Sequence, residues 1–465
     1  MSLCRWIDVR EAGLEALQQE FDLRAPERTP EMIRSVAETI DDVQRRGALA
    51  AWDAARRFDA PDLPFDGLVV KPQELRNAQV EVGHHEAIAH AIARIFEFHR
   101  AQLSALTMGW ERDYLRDGTA NFRWQIPARQ ARDGATGFEG QRLIALETAG
   151  IYVPGGQANY ASSVLMNCIP AIVAGVSAIQ IACPARADGE LSPAILVAAR
   201  ELGIRNIVKV GGAAAIALHA FGDVTGDLGK LGVHWSRADK VAGPGNRYVN
   251  EAKLQLFGRV GVDTYAGPSE VCVVADESAD PAWAAADWLT QVEHSDDNVG
   301  IVVTWSERQA HAIVEAARSQ LANAPRGEVM GRALRDRGMV ILAANEVQAY
   351  DLVNRIAPEH LTLMVSRVEQ ALQAIRNAGC VMLGDFTPQS AGDFCSGPSH
   401  TLPTGGAARF GSPLSVMDFL KFQSVSRLRR EDLRELMPIV RAFGAMEGFP
   451  QHARGAEIRF EDDGA

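Results

Sequence analysis

The chain has 465 residues, of which 47% are hydrophobic and 23% are charged, and its formal net charge is −12. This length exceeds what one hydrophobic core usually organises, so we expect at least two lobes. The acidic balance disfavours nucleic acid and anionic membranes as partners. No apolar run approaches the roughly 20 residues of a membrane-spanning helix, and no secretion signal is found, so the sequence predicts a cytoplasmic protein.

The N-terminal part has a helical pattern. From about Ala12 to Gln102, apolar residues recur every three or four positions, with Thr29 and Pro30 as a helix start. The next segment, 106–146, loses this periodicity and collects Gly, Arg and Asp. We interpret it as a long irregular excursion between lobes.

Short β-rich runs then alternate with helical stretches, first from AIQIACP to VCVVAD and again from VGIVVTW to CVMLGDF. This alternation predicts an α/β fold with two doubly wound, incomplete Rossmann-like lobes. We assign 26–151 and 270–412 to a catalytic lobe and 152–269 to a cofactor-binding lobe. The segments 1–25 and 413–465 are predicted to be small extensions, and the helical, charged tail is expected to pack on a partner lobe or subunit.

Four glycine-rich turns lie at 152–160, 210–217, 242–249 and 266–270, and several of them join a β-like run to a helix. Such junctions free backbone N–H groups for a pyrophosphate, although none matches the GxGxxG fingerprint. The sequence contains no P-loop, which argues against an NTPase. The group of turns therefore indicates a cofactor-binding lobe.

Several polar residues occur where functional side chains are common. Gln291 and His294 are three positions apart in LTQVEHSDDN and would share one helix face, but taken alone the pattern favours an ordinary surface helix. Asp393, His400 and His452 lie in or beside irregular segments. Taken singly, none of these residues identifies a site.

Glu359 and His360 follow a proline and immediately precede an apolar β-like run in APEHLTL. A neighbouring carboxylate and imidazole can act on one substrate, the first by ordering a water and the second by moving protons. A salt-bridged glutamate beside a capping histidine would give the same pattern. The two residues alone therefore leave a catalytic and a structural interpretation open.

Together these segments resemble the histidinol dehydrogenase family over nearly the whole chain. The matching stretches, in the family's order, are YVPGGQANYASSVLMNCIPAIVAGV, GPGNRYVNEAK, AGPSEVCVVAD, WLTQVEHS, APEHL, TPQSAGDFCSGPSHTLPTGGAARF and EGFPQH. The resemblance implies an NAD-dependent enzyme with one zinc ion per subunit, which oxidises L-histidinol through bound L-histidinal to L-histidine. It also implies a homodimer in which the C-terminal segment of one chain completes the other's site.

The resemblance further assigns roles to individual positions. The implied zinc ligands are Gln291, His294, Asp393 and His452. The implied acid–base pair is Glu359 and His360. The implied substrate contacts are the zinc ligands and His360 together with Ser269, His400 and Glu447. The implied NAD contacts are Tyr152, Ala214 and Asn246. A ligand set of two nitrogen and two oxygen donors suits zinc, and four protein ligands suit an ion that anchors substrate rather than ionises water.

The chain departs from the family pattern at several positions. Ala214 stands where the family commonly has a glutamine that touches the cofactor, Phe394 replaces a usual tyrosine, and Ser399 replaces a frequent asparagine. The segment 106–146 is longer than usual, and FGDVTGDLGKLGVHWSRADK carries extra residues. The change at Ala214 is expected to weaken NAD binding or to admit NADP.

Three alternative functions remain at this point. A paralogous zinc- and NAD-dependent dehydrogenase could act on another small polar alcohol, such as a sulfonated propanediol, but Glu447 suits an imidazole N–H and repels a sulfonate. An inactive zinc-bound scaffold is expected to lack the dyad or a metal ligand, and both sets are intact. A metal-free oxidoreductase is distinguished from the others by chelation.

Overall fold

The computed structural model describes residues 3–10, 17, 28–107, 122–127, 137–155, 160–264 and 267–464. The chain separates into two compact units, one within Met1–Gln102 and Leu146–Phe419 and the other within Leu103–Ala145 and Leu420–Ala465. Most of the helical pattern predicted before Arg28 lies outside the described residues. The two units are described in turn.

The described strands and helices follow the chain in this order. The strands are β1 Arg5–Asp8, β2 Phe122–Pro127, β3 Phe138–Ala145, β4 Thr148–Tyr152, β5 Ala178–Ala182, β6 Asn206–Val208, β7 Lys240–Ala242, β8 Gly261–Val262, β9 Glu270–Ala275, β10 Val299–Thr304, β11 Met339–Leu342, β12 His360–Met364, β13 Cys380–Leu383 and β14 Leu420–Arg427. The helices are α1 Pro30–Arg46, α2 Ala48–Phe58, α3 Pro72–Asn77, α4 Val82–Thr107, α5 Ala161–Ala174, α6 Pro193–Glu201, α7 Gly212–Phe221, α8 Asp227–Lys230, α9 Arg247–Leu256, α10 Pro281–Val292, α11 Glu307–Leu321, α12 Gly327–Arg337, α13 Glu346–Ile356, α14 Val368–Ala374, α15 Gln389–Phe394, α16 Arg430–Met446 and α17 Pro450–Glu457. Within the described ranges, no helix is both long enough and apolar enough to cross a membrane.

The first unit contains two parallel sheets. One has five strands in the order β6-β5-β4-β7-β8, and the other has six in the order β1-β11-β10-β9-β12-β13. Counted along the chain from β4 and from β9, both sheets follow the order 3-2-1-4-5, with β1 added at the edge of the second. This is the Rossmann order without its sixth strand, so the predicted pair of incomplete doubly wound lobes is confirmed.

Helix α1 begins where the sequence predicts, because the Thr29 hydroxyl accepts the backbone N–H of Met32 at 3.2 Å. Its buried residues form one stripe, namely Met32, Val36, Ile40 and Val43. These residues share one hydrophobic core with α2, α7 and the five-stranded sheet. The N-terminal helices therefore pack on the sheet of the predicted cofactor-binding lobe, although the sequence grouped them with the catalytic lobe. The predicted domain boundaries themselves stay a prediction.

The second unit corrects two expectations about local structure. Segment 106–146 was predicted to be irregular and the tail from Pro413 to be helical, yet β2, β3 and β14 form an antiparallel sheet of three strands. Strand β14 pairs with β3 from Leu420 opposite Ala145 to Arg427 opposite Phe138. Helices α16 and α17 follow this sheet. The pairing joins strands that are far apart along the chain, so neither strand carries a local hairpin signal.

Gly243, directly after β7, has a φ of 122°, and a Cβ added there would lie 2.0 Å from the carbonyl oxygen of Tyr152. We expect Gly243→Ala to lower the free energy of unfolding by more than the roughly 1–3 kcal/mol of backbone strain alone, because a backbone clash is added. Gly258→Ala is the matched control, since Gly258 has a φ of 91° but open space around it. Denaturant unfolding of both variants measures the difference, and equal destabilisation would exclude the close approach as the reason for glycine.

Candidate active site

Glu359 and His360 stand at the start of β12, as the sequence predicts, and both are buried. The Glu359 carboxylate accepts the backbone N–H of Glu270 at 2.8 Å through Oε2. The Nδ1 of His360 lies 3.0 Å from the carbonyl oxygen of Glu270, a distance at which Nδ1–H donates. Ala357, two residues before Glu359, has a left-handed φ of 48° and ends the preceding helix. The dyad is thus anchored to β9 by both of its side chains.

The second ring nitrogen of His360 faces Asp393. His360 Nε2 lies 3.3 Å from Asp393 Oδ1, so the two groups form an ion pair when the ring is protonated. Burial alone would lower the pKa of His360, yet the charges of Glu359 and Asp393 raise this pKa well above its ordinary value. The imidazole therefore sits between two carboxylates, with Nδ1 held by the Glu270 carbonyl and Nε2 directed at Asp393.

Asp393 and Gln291 are in direct contact, although they are far apart in sequence. Gln291 Nε2 donates to Asp393 Oδ2 at 2.8 Å, and both residues are buried. Burial alone would raise the pKa of Asp393, but the hydrogen bond and charge of His360, followed by the charges of His400 and His294, hold it below its ordinary value. Asp393 is therefore at the centre of the candidate site.

His294 is close enough to Asp393 for its charge to affect that carboxylate, but it does not share a helix face with Gln291. Helix α10 ends at Val292, and His294 follows in a turn in which its N–H donates to the carbonyl of Gln291 at 3.3 Å. Its side chain is exposed. The expectation of a shared helix face is wrong because the helix stops one residue after Gln291.

His400 is held next to Asp393 by its own ring. His400 Nδ1 lies 2.8 Å from the backbone oxygen of Asp393, and His400 Nε2 lies 3.4 Å from the hydroxyl of Ser163 on α5. Burial lowers the pKa of His400, and the charge of Asp393 opposes this shift. Sequence reasoning missed Ser163, because nothing local connects this helical serine with a loop histidine.

Ser269 approaches the same site through the backbone. Its N–H donates to Asn298 Oδ1 at 3.1 Å, and Asn298 Nδ2 donates to the carbonyl oxygen of Gln291 at 2.7 Å. The buried Asn298 thus links the residue before β9 to the end of α10. Sequence reasoning missed Asn298, although its position directly before the β-like run VGIVVTW was a possible signal.

The predicted cofactor residues lie around the carboxyl ends of the five-stranded sheet. Tyr152 ends β4, and its hydroxyl accepts the N–H of Gly212 at the start of α7 at 3.4 Å. Asp59, which the sequence analysis missed, accepts the N–H of Gly211 at 3.2 Å. Burial raises the pKa of the Asp59 carboxyl to about 6. A carboxyl group therefore lies directly beside one of the predicted glycine-rich turns.

Asn246 and Ala214 have different environments. Asn246 caps α9, where its Oδ1 accepts the N–H groups of Tyr248 and Val249 at 3.0 and 3.2 Å, and the residue is exposed. Ala214 is buried within α7 and offers only a methyl group. Glycine-rich turns follow β4, β6 and β7, and β4 and β7 are adjacent where the strand order reverses, which is where α/β sheets usually bind ligands.

Glu447 and His452 belong to the second unit. Glu447 follows the last residue of α16, and His452 lies in α17 with its ring centroid 5.2 Å from that of Phe449. Both side chains are exposed. Among the described residues of one chain, no group of three His, Cys, Asp or Glu side chains is arranged to hold a metal. The side chains that do meet are the amide of Gln291, which contacts Asp393 through its nitrogen, and the Asp393 carboxylate, with an imidazole nearby. An amide oxygen, a carboxylate and imidazoles are donors that suit zinc.

Two Rossmann-ordered sheets and a buried imidazole–carboxylate site define a Rossmann-like α/β protein. The sequence model of the family described as histidinol dehydrogenase matches residues 23–460. The histidinol dehydrogenase of Bacillus subtilis (strain 168) is 39% identical over 450 residues, which cover 96% of this chain and 97% of the relative. That of Brucella suis biovar 1 (strain 1330) is 41% identical over 429 residues, 92% of each chain. A crystal structure of histidinol dehydrogenase from Elizabethkingia anophelis superposes with a TM-score of 0.85 at 30% identity and covers 100% of both chains.

The chain therefore belongs to the histidinol dehydrogenase family, as the resemblance in the sequence indicates. Histidinol dehydrogenases are oxidoreductases that act on a small molecule.

Proposed function

We propose that this chain is a cytoplasmic, zinc- and NAD-dependent histidinol dehydrogenase that oxidises L-histidinol through bound L-histidinal to L-histidine. Membership of the family supports L-histidinol as the substrate. The environment of His360 supports a role for this residue as the base. Its Nδ1 is fixed by the carbonyl of Glu270, and its Nε2 faces Asp393, one of the proposed metal ligands, at 3.3 Å. An imidazole held in one orientation with its second nitrogen directed into the site suits proton transfer with a substrate hydroxyl.

We infer that zinc is held by Gln291, His294 and Asp393 of one chain and by His452 of the partner subunit. The contact between Gln291 and Asp393 supports this set, because it uses the Nε2 of the Gln291 amide, and Oε1 is the atom of that amide that would bind the metal. When bound, zinc supplies a positive centre that anchors the nitrogen donors of histidinol, and NAD supplies the hydride acceptor.

The dyad performs the proton transfers in this proposal. His360 removes the hydroxyl proton in the first oxidation and accepts a proton again in the second. Glu359 activates the water that attacks the aldehyde, and its Oε2 is already fixed by the N–H of Glu270. Ser269 and His400, with Glu447 of the partner subunit, orient the substrate, and Ser163 supports His400 at 3.4 Å.

NAD binding is proposed at the carboxyl ends of β4 and β7, where the strand order of the five-stranded sheet reverses. Tyr152 ends β4 and Asn246 caps the helix that follows β7, and both would contact the cofactor. The exposed N-terminal turn of α9 presents its positive dipole end to a pyrophosphate. Ala214 would contribute only van der Waals contact, because its side chain is a buried methyl group.

We propose a homodimer whose sites are shared between subunits. Support comes from α16, on which Ile439, Phe443 and Met446 are exposed at helical spacing. Exposed apolar stripes of this kind commonly mark protein–protein contacts. A second copy of the chain is the partner that would also bring Glu447 and His452 to a neighbouring site.

The proposed function is tested by following NADH production from L-histidinol by zinc-loaded protein. We expect two NADH per histidinol, complete loss after chelation and recovery when zinc is returned. One NADH per histidinol would contradict the two-step oxidation. If folded, zinc-bound protein formed no NADH, another small polar alcohol, such as a sulfonated propanediol, would replace L-histidinol as the proposed substrate.

A further inference from the structure

A second set of polar side chains lies directly behind the candidate metal and base residues. Thr362 donates its hydroxyl hydrogen to Asp287 Oδ2 at 3.0 Å, and Gln389 Nε2 donates to the hydroxyl oxygen of Thr362 at 2.7 Å. The backbone N–H of Gln389 also donates to Asp287 Oδ1, at 3.4 Å. All three residues are buried. We call this group, Asp287, Thr362 and Gln389, the buried clamp.

Each clamp residue shares its secondary-structure element with one residue of the candidate site. Asp287 lies four positions before Gln291 on α10, and Gln389 lies four positions before Asp393 on α15. Thr362 lies two positions after His360 on β12, so both side chains are on the same face of that strand. The buried clamp therefore ties together the three elements that carry Gln291, His360 and Asp393.

Burying the polar side chains of the clamp costs free energy, so we expect the clamp to have a role. Asp287 is a buried carboxyl group that accepts hydrogen bonds from the Thr362 hydroxyl and from the backbone N–H of Gln389, both of which are uncharged donors. Well-packed apolar side chains commonly stabilise a core as much as such a group does. The hydrogen bonds run in one direction, from Gln389 through Thr362 to Asp287, and so fix the distance between three elements, which apolar packing does not do.

We propose that the buried clamp positions the zinc ligands Gln291 and Asp393 with respect to the base His360. Its three members are positioning residues, because they act through the site residues on their own elements. Side chains behind metal ligands typically change metal affinity or activity 10–100-fold when they are lost. The inference rests on the zinc site of the proposed function, and its test separates the two.

The test compares Thr362→Val, which removes the hydroxyl at nearly constant shape, with Thr362→Ser, which restores it. Thr304→Val is the matched control, because Thr304 is a buried residue of the same sheet whose hydroxyl accepts the N–H of Ser306 and lies outside the buried clamp. We expect the zinc dissociation constant of the full-length protein to rise about tenfold or more in Thr362→Val. It should stay within about twofold of wild type in Thr362→Ser and Thr304→Val. Competition with a chromophoric chelator measures it.

Hydrogen exchange of metal-free protein is the second measurement. We expect faster exchange at the end of α10 and in α15 for Thr362→Val than for Thr362→Ser and Thr304→Val. If wild-type protein bound no zinc, the proposed metal site would fail, and this exchange pattern would still decide for or against the clamp. Unchanged zinc affinity in Thr362→Val, equal exchange, or no rescue by serine would each overturn the clamp. If Thr362→Val does not fold, Gln389→Met replaces it with the same expectations.

Discussion

We expect the His294→Ala and His452→Ala variants each to lose stoichiometric zinc and, with it, NADH production from L-histidinol. Each change removes one imidazole from the four proposed protein ligands, and we expect no neighbouring donor to replace it. Metal content after dialysis and turnover with added zinc measure the two effects. His90→Ala is the control, because His90 is an exposed histidine of α4. Full zinc retention in both variants would refute the ligand assignment.

Co-expression of His294→Ala with His452→Ala tests whether the site is shared. If His452 acts across the dimer, a mixed dimer contains one site with both defects and one with neither. Random pairing should then restore about a quarter of wild-type activity, since half of the dimers are mixed and each has one intact site of two. No recovery from verified mixed dimers would place His452 in the site of its own chain.

The sequence was most informative where structure is local. Thr29 and Pro30 start α1 as predicted, and the alternation of β-rich and helical runs led to the two doubly wound sheets. The position of Glu359 and His360 at the start of β12 was also visible, because a proline precedes them and an apolar run follows them. Each of these features depends on residues within a few positions of one another.

The parts that were missed depend on contacts between distant residues. Strands β3 and β14 pair across the chain, so the segment 106–146 appeared irregular when considered alone. Asn298, Ser163 and the buried clamp were missed because their partners belong to other elements. The helix end at Val292, which places His294 in a turn, leaves little sequence signal because helix boundaries lack a strong local marker here.

The candidate residues of the two sheets lie at opposite ends of their strands. The predicted cofactor turns follow the carboxyl ends of β4 and β7, but Glu270 and His360 are the first residues of β9 and β12, and Ser269 and Glu359 directly precede them. The candidate chemistry thus gathers at the amino ends of the six-stranded sheet, where its own strand order reverses. Ligands of such sheets usually bind at the carboxyl ends of the strands. A search guided by that rule would not have led to the candidate site at the amino ends of this sheet.

The position of Glu359 separates its role from that of His360. Its Oε2 accepts the N–H of Glu270 at 2.8 Å and lies 3.4 Å from His360 Nδ1, on the side of the ring away from Asp393. In the proposed mechanism the first oxidation needs a base for the alcohol, and His360 would supply it through Nε2. Only the second oxidation needs an activated water, because an aldehyde must be hydrated before it can lose a second hydride.

We therefore expect Glu359→Gln to slow the oxidation of L-histidinal by about 10²–10⁴-fold, the range for a lost general base, and to slow the oxidation of L-histidinol to the aldehyde far less. Glutamine keeps the shape and can still accept the N–H of Glu270, so the change removes the charge and the basicity. Single-turnover NADH formation with each substrate supplied separately measures the two steps. Glu346→Gln, at a surface ion pair with Arg367, is the control. Equal loss in both steps would remove the water-activating role from Glu359 and leave it as support for His360.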